Sequence, residues 1–307
     1  MLNDSPLDAK SFSGKTGRFY ISIAGISSAI ISQGTHFLEM LHERYRRFES
    51  SGPAEYEIVL QFLPLEAFPA EDNGQPASPP VKRVNSGNNY IIKQADKPFL
   101  AVVNTASKKV LVKMRYSQSC FDNLLRMLFT VILAEDGGLM LHASAVNGNG
   151  RASIFFPPPE DDKAAITSLP GESAAAPDEL VIIRPHNNRF RVYRTPFRDE
   201  LTPDRGSGRA DLRALYSLKK GETRHLTALD KALAVVALYK RVSFFTDDAL
   251  LLGRVFNTCC NIINKVPAYE MHFTPDPSLW QSLKEKGPDN LLFRAPSISM
   301  NPLPGEV

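Results

Sequence analysis

The residues best able to do chemistry in this chain gather around one lysine. Residues 139–165 read LMLHASAVNGNGRASIFFPPPEDDKAA. The pattern is strand, Asn-Gly turn, strand, loop, Lys163 and then a short helical pattern, which is the frame of a phosphate-binding loop. Such a loop needs glycines, because its backbone must curl tightly and aim N–H groups at phosphate oxygens. Here Pro157, Pro158 and Pro159 have no N–H to offer. Glu160, Asp161 and Asp162 then place anions where a polyphosphate would lie. Two like charges about 4 Å apart repel by roughly 4 kcal/mol at an effective dielectric near 20. Ala164 and Ala165 stand where a hydroxyl would hold Mg²⁺. The segment keeps the lysine of a phosphoryl-transfer site and lacks the cradle around it.

Other groups could join that lysine, and each also has a plainer role. Asp161, Asp162, Asp178 and Glu179, with Glu160, offer oxygen ligands suited to Mg²⁺ or Ca²⁺ if the fold brings them together. The plainer roles are a solvated acidic loop and an acidic pair at the entry to a strand. Lys163 beside Asp161 and Asp162 suits a surface ion pair of small energetic value. His142 ends an alternating run, LMLH, where a hydrogen-bonded, partly buried imidazole is expected more often than a catalytic one. Three consecutive prolines favour a stiff, extended conformation that can be displayed to a partner. His36, His42, His186, His225 and His272 show no metal-ligand spacing, and no GxSxG or HExxH motif occurs. Cys120, Cys259 and Cys260 lie in apolar helical patterns without a CxxC spacing, which reads as core thiols of a reducing compartment.

The elements that must position these residues follow from periodicity. FYISIAG (19–25) alternates like a strand, HFLEMLHERYRRF (36–48) has helical spacing, and EYEIVLQFLP (55–64) alternates again. Arg44, Arg46 and Arg47 fall on what should be the solvated face of that helix. EAFPAEDNGQPASPP (66–80) reads as a mobile linker. Two hairpins come next, turning at Ser86-Gly87-Asn88 and near Ser107-Lys108. From Ser117 the character changes. Phe121, Leu124, Leu125, Leu128, Phe129, Ile132 and Leu133 define the strongest helix, with a serine cap at Ser117 or Ser119 and a stop at Gly137-Gly138. It should bury one stripe against a sheet. Strands over 139–147 and 151–156 should form a hairpin, and a second pair should turn at His186-Asn187-Asn188 ahead of a Thr195-Pro196-Phe197 turn with a buried ring. A strand at 212–222 should close at Gly221. Helices follow at 227–242, capped by Thr227, and at 247–266, opening on Asp247-Asp248. A strand at 269–273 and a short helix at 277–285 complete the pattern. Two regions result: 1–116, β-rich with one helix, and 117–307.

Bulk properties narrow the classes. The 43% hydrophobic and 22% charged content is that of a globular chain, and 307 residues allow one large or two ordinary domains. A net charge of +3 without a long basic run argues against a nucleic-acid partner. No run of 18 apolar residues is present to span a membrane, and the polar N-terminal stretch has no apolar signal core, so a cytoplasmic protein is expected.

Several of these pieces together resemble one family, the HPr kinase/phosphorylase-like proteins, which share a fold relationship with phosphoenolpyruvate carboxykinase. The residues that carry the resemblance are FDNLLRMLFTVILAEDGGLMLHASAVNGNGRASIFF, Lys163, DELVIIRP and VYRTPF, across roughly residues 117–273. The LHASAV element is the specific one. The resemblance implies an α/β (α+β) fold with a mixed-sheet core, preceded by a smaller β-rich module. Carried over, Pro157 to Asp162 replace a Gly-Pro-Ser-Gly-Ser-Gly loop, Lys163 matches the loop lysine, and Ala164 and Ala165 replace its Ser-Thr. Asp178 and Glu179 match the acidic pair that supplies metal binding and base chemistry in active kinases, and His142 matches the His of the HAS element. The departures fall in the phosphate loop and in the helix after it, which Pro170 and Gly171 cut short. The expectation is therefore a pseudokinase-like interaction or regulatory protein that needs no cofactor. Its partner would be a protein or peptide, an active kinase paralogue being one candidate, and homo- and hetero-oligomers are both open. The alternative is an atypical ATP- and Mg²⁺-dependent protein or peptide serine kinase using Lys163, Asp178, Glu179 and His142.

Overall fold

A computed structural model describes residues 16–33, 35–68, 79–84, 87–94, 97–148, 150–156, 180–197, 208–221 and 225–273. The expected helix at 277–285 and most of the 66–80 linker lie outside the described residues. The architecture is mixed α/β, with a seven-stranded and an eight-stranded sheet, both mixed, and four α-helices among the described residues.

The first sheet opens with a hairpin that the sequence reading saw only in half. Strand β1 (Thr16–Ile23) turns at Ala24 and Gly25, both at positive φ, and returns as β2 (Ile26–Gln33). Two consecutive positive-φ residues give the turn whose twist matches that of paired strands. Helix α1 (Thr35–Tyr45) then crosses over, burying Phe37, Leu38, Leu41 and Tyr45, so that β3 (Tyr56–Phe62) runs parallel to β2. Strands β4 (Val81–Val84), β5 (Asn89–Gln94), β6 (Phe99–Asn104) and β7 (Lys109–Met114) complete the order β1-β2-β3-β7-β6-β5-β4. Arg44 departs from the solvated role expected of it. Its Nε lies 3.2 Å from Asp122 Oδ2, and only 16% of its side chain is exposed.

Helix α2 (Gln118–Glu135) begins where expected, with Ser117 Oγ accepting from the Cys120 N–H. It ends as expected too. Gly137 sits at φ +70°, and the Gly138 N–H donates to the Leu133 carbonyl at 2.7 Å, the closing bond of a Schellman turn. Its burial exceeds one stripe. Met127, Thr130, Val131 and Ala134 are buried along with the predicted positions. The cause is its place: α2 packs on β5 and β6 of the first sheet and on β8 (Leu139–His142) of the second. One continuous hydrophobic cluster runs from Phe19 to Val266 through this helix.

The second sheet corrects the expected strand at 139–147. The run breaks at Ala143 into β8 and β9 (Ser144–Gly148), because β8 pairs with β11 (Leu180–His186) while β9 pairs with β10 (Arg151–Phe156). Strand β11 turns at Asn187 and Asn188, both at positive φ, into β12 (Arg189–Arg194). The sheet forks at β13 (Arg209–Lys220). Its first residues pair with β12, and its later ones lie between β10 and β15 (Ala268–Phe273), both parallel to it. A second correction concerns 227–242. Residues His225–Ala228 form strand β14 against β15, and helix α3 starts only at Lys231 (Lys231–Tyr239), capped by Asp230 rather than Thr227. The carboxylate of Asp230 satisfies two N–H groups of the first turn, which releases Thr227 to the ladder. Helix α4 (Ala249–Lys265) is capped by Asp248, as its sequence implies.

Burial of titratable groups makes alkaline pH the vulnerable side of this fold. Burial pushes the Cys259 thiol from 9.0 up to about 12. It pushes the Tyr56 phenol from 10.0 up to about 12, with Asp136 and Glu55 adding to the effect. Both folded values exceed the unfolded ones, so the folded chain holds these protons where the unfolded chain has released them. The stabilisation is complete below pH 9 and is lost as pH rises toward 12. The midpoint of urea unfolding, followed by circular dichroism, should therefore fall steadily across that window. In Cys259→Ala the decline should begin about one pH unit later.

Candidate functional site

Strands β10, β13 and β15 run parallel, so their C-terminal ends share one rim. In open α/β sheets such rims are where ligands bind. Alternation decides what the rim presents. Ile154, Phe156 and Leu215 face the helix-side core. Farther along the same face come Ser217 and Lys219 of β13, and Glu270 and His272 of β15, in direct register. His225 and Thr227 of β14 complete the row from the edge strand.

These side chains contact one another. His272 Nε2 lies 2.6 Å from Glu270 Oε1, and Lys219 Nζ lies 3.6 Å from the same oxygen. The rings of His225 and His272 stack at 4.0 Å with 16° between their planes. The His272 side chain is 18% exposed and that of Lys219 is 56% exposed, so the cluster opens to solvent through its lysine. It joins two imidazoles, a carboxylate and an ammonium, groups able to exchange a proton or to contact an anion. The opposite face supports the rim. Phe155 stacks on Tyr216 at 4.9 Å, and Tyr216 on Tyr269 at 5.6 Å, a cross-strand aromatic ladder. Burial, reinforced by Tyr269, pushes the Tyr216 phenol up to about 12.

His142 comes to the neighbouring strand end. It is the last residue of β8 and is exposed, not partly buried as expected, and its backbone N–H donates to the Arg241 carbonyl at 2.8 Å. It pairs with Leu180, the first described residue after the Asp178-Glu179 pair. Two residues on, Ser144 pairs with Phe155, one residue before β10 ends. The register thus carries His142 to the end of β10 from which residue 157 departs. Lys163, Pro157, Pro158, Pro159, Glu160, Asp161, Asp162, Ala164, Ala165, Asp178 and Glu179 all lie outside the described residues. Among the described residues no group of three His, Cys, Asp or Glu side chains could hold a metal ion.

Thr195-Pro196-Phe197 is the turn with a buried ring that its sequence suggested. Thr195 Oγ1 donates to the Leu180 carbonyl at 2.7 Å, and Phe197 packs edge-on against Phe129 of α2. This contact locks the start of β11 to the helix that spans both sheets. The rim of Lys219, Glu270, His272 and His225 was missed in the sequence. Its members come from three strands, and the alternation of YEMHF was the only local signal.

No family model matches this chain, and no curated protein matches it. No helix among the described residues is long and apolar enough to cross a membrane.

Proposed function

We propose that this chain is a pseudokinase-like interaction or regulatory protein on an HPr-kinase-like frame, acting in the cytoplasm without a nucleotide cofactor. The observation that carries the reading is the end of β10. That strand runs parallel to β13 and brings Phe156 into register with Ser217, beside an acid–base rim, and the sequence that follows is Pro157-Pro158-Pro159-Glu160-Asp161-Asp162. A nucleotide at this strand end would need N–H donors and a Mg²⁺ ligand. Within the segment that follows β10 it would meet three residues with no N–H and three carboxylates against the ammonium of Lys163. A repulsion of several kcal/mol is comparable to a large part of the binding free energy of about 8 kcal/mol that corresponds to a micromolar ligand. A strand end of this kind suits contact with a protein or peptide, an active kinase paralogue being one such partner.

Calorimetry with ATP and Mg²⁺ on the wild type and on Lys163→Ala tests the reading. The expected result is no saturable binding below millimolar ATP in either protein. Tight binding that disappears in Lys163→Ala would overturn the proposal and establish the kinase alternative, with Lys163, Asp178, Glu179 and His142 as its working residues.

A further inference from the structure

We infer that the outer face of the seven-stranded sheet is a docking surface for an acidic protein segment that carries apolar side chains between its carboxylates. One face of this sheet packs on α1 and α2 through Ile21, Ile30, Ile58, Val112 and Ala101. Strand alternation sends every second residue the other way. On that outer side the registers align Ile31, Val59, Leu111, Val102 and Ile91 into one row across five neighbouring strands. All five are half-buried, and Leu100 beside them is 37% exposed. A solvated sheet face ordinarily alternates apolar inside with polar outside. A continuous apolar row across five strands departs from that rule.

The charges around the row indicate its occupant. Arg18 pairs with Ile31 at one end and Lys82 with Ile91 at the other. Lys93, Lys109 and Lys113 occupy the rows on either side, and the sole carboxylate on this face of the described strands is Glu57. Five cations therefore stand against Glu57, since Glu55 beside it is already paired with Lys108 at 2.9 Å, and no ion pair joins any of the five among the described residues. The same face of a second copy would bring cations against cations. A nucleic-acid backbone would satisfy the cations and leave the apolar row unburied. An acidic segment with interspersed apolar residues satisfies both, burying the row and pairing the rim, which steers encounter as well as fixing orientation. The inference rests on the interaction reading above and supplies the partner's chemistry. Nucleotide calorimetry tests that reading, and the measurement below tests this face alone.

The probe is a fluorescein-labelled twelve-residue peptide alternating Glu with Leu. It is titrated by fluorescence anisotropy into the full chain, beside a Lys-Leu peptide of the same length and vesicles containing anionic phospholipid. The expected result is saturable micromolar binding of the acidic peptide alone, weakening at least tenfold when salt is raised from 50 mM to 500 mM. Lys93→Glu/Lys113→Glu should weaken it by a further tenfold or more, and Val102→Ser should weaken it without changing the salt dependence. Lys93 is exposed and Lys113 and Val102 are half-buried on the outer side of the sheet, and matching urea midpoints would show that the variants fold. Equal binding of both peptides, an unchanged affinity in the double variant, or no saturation below 100 µM would each overturn the inference. Binding confined to the vesicles would overturn it in favour of a lipid surface.

Discussion

Leu125→Ala and Leu128→Ala should each lower the unfolding free energy by roughly 2–5 kcal/mol, the range for buried leucines whose surroundings collapse only partly. Both side chains are 1% exposed and sit on α2, the helix that contacts both sheets. A cavity there removes packing from the two sheets at once, and rigid strands on either side leave little room for the void to close. Natural domains hold only about 5–15 kcal/mol in total, so one such change removes a large share of stability. Urea unfolding followed by far-UV circular dichroism measures the effect. Wild-type midpoints in both variants would mean that α2 is not the centre of the core.

Asp122→Ala should cost roughly 2–4 kcal/mol, a little under the roughly 3–5 kcal/mol of breaking a fully dry ion pair. Asp122 lies in the second turn of α2 and accepts a hydrogen bond from the Tyr45 hydroxyl and one from Arg44 Nε, both from α1. Tyr45 is 1% exposed, and burial together with the Asp122 charge holds its phenol well above the usual range. Removing the carboxylate leaves the buried Tyr45 hydroxyl without its acceptor and takes one acceptor from Arg44, whose guanidinium also reaches the Pro196 carbonyl at 3.5 Å. The decisive comparison is the double variant Tyr45→Phe/Asp122→Ala. It removes both ends of the tyrosine bond and should recover part of the loss, because an unmet buried hydroxyl is costlier than an absent one. A double variant less stable than Asp122→Ala by the full cost of Tyr45→Phe would show that the two side chains act independently. At its last turn α2 repeats the device. Glu135 accepts from the Tyr90 hydroxyl of β5 and pairs with Arg254 of α4, tying the first sheet to the helices of the second.

What the sequence determined by itself is local. The spacing of Phe121, Leu124, Leu125, Leu128 and Ile132, with Ser117 before it and Gly137 after it, defined α2, because a cap and a left-handed stop act within one helical turn. Asp248 opened α4, and Asn187-Asn188 made the hairpin of β11 and β12, for the same reason. That Pro157, Pro158 and Pro159 offer no N–H is likewise a property of residue types, since proline lacks one in any fold. Tertiary structure decided what depends on partners far along the chain. Nothing in LMLHASAVNG tells that Ala143 ends one ladder and begins another, for β8 finds its partner at Leu180 and β9 finds its own at Arg151. Local pattern placed the helix cap at Thr227, but pairing with β15 drew Thr227 into a strand and left Asp230 to start the helix. Ile31, Val59, Leu111, Val102 and Ile91 were unremarkable members of five separate strands until parallel and antiparallel registers set them in one row. Lys219, Glu270, His272 and His225 became a cluster in the same way. A strand's own residues determine which side chains share a face. Which strands lie beside it, and in what register, is decided by backbone hydrogen bonds and by burial in a core that no local window contains.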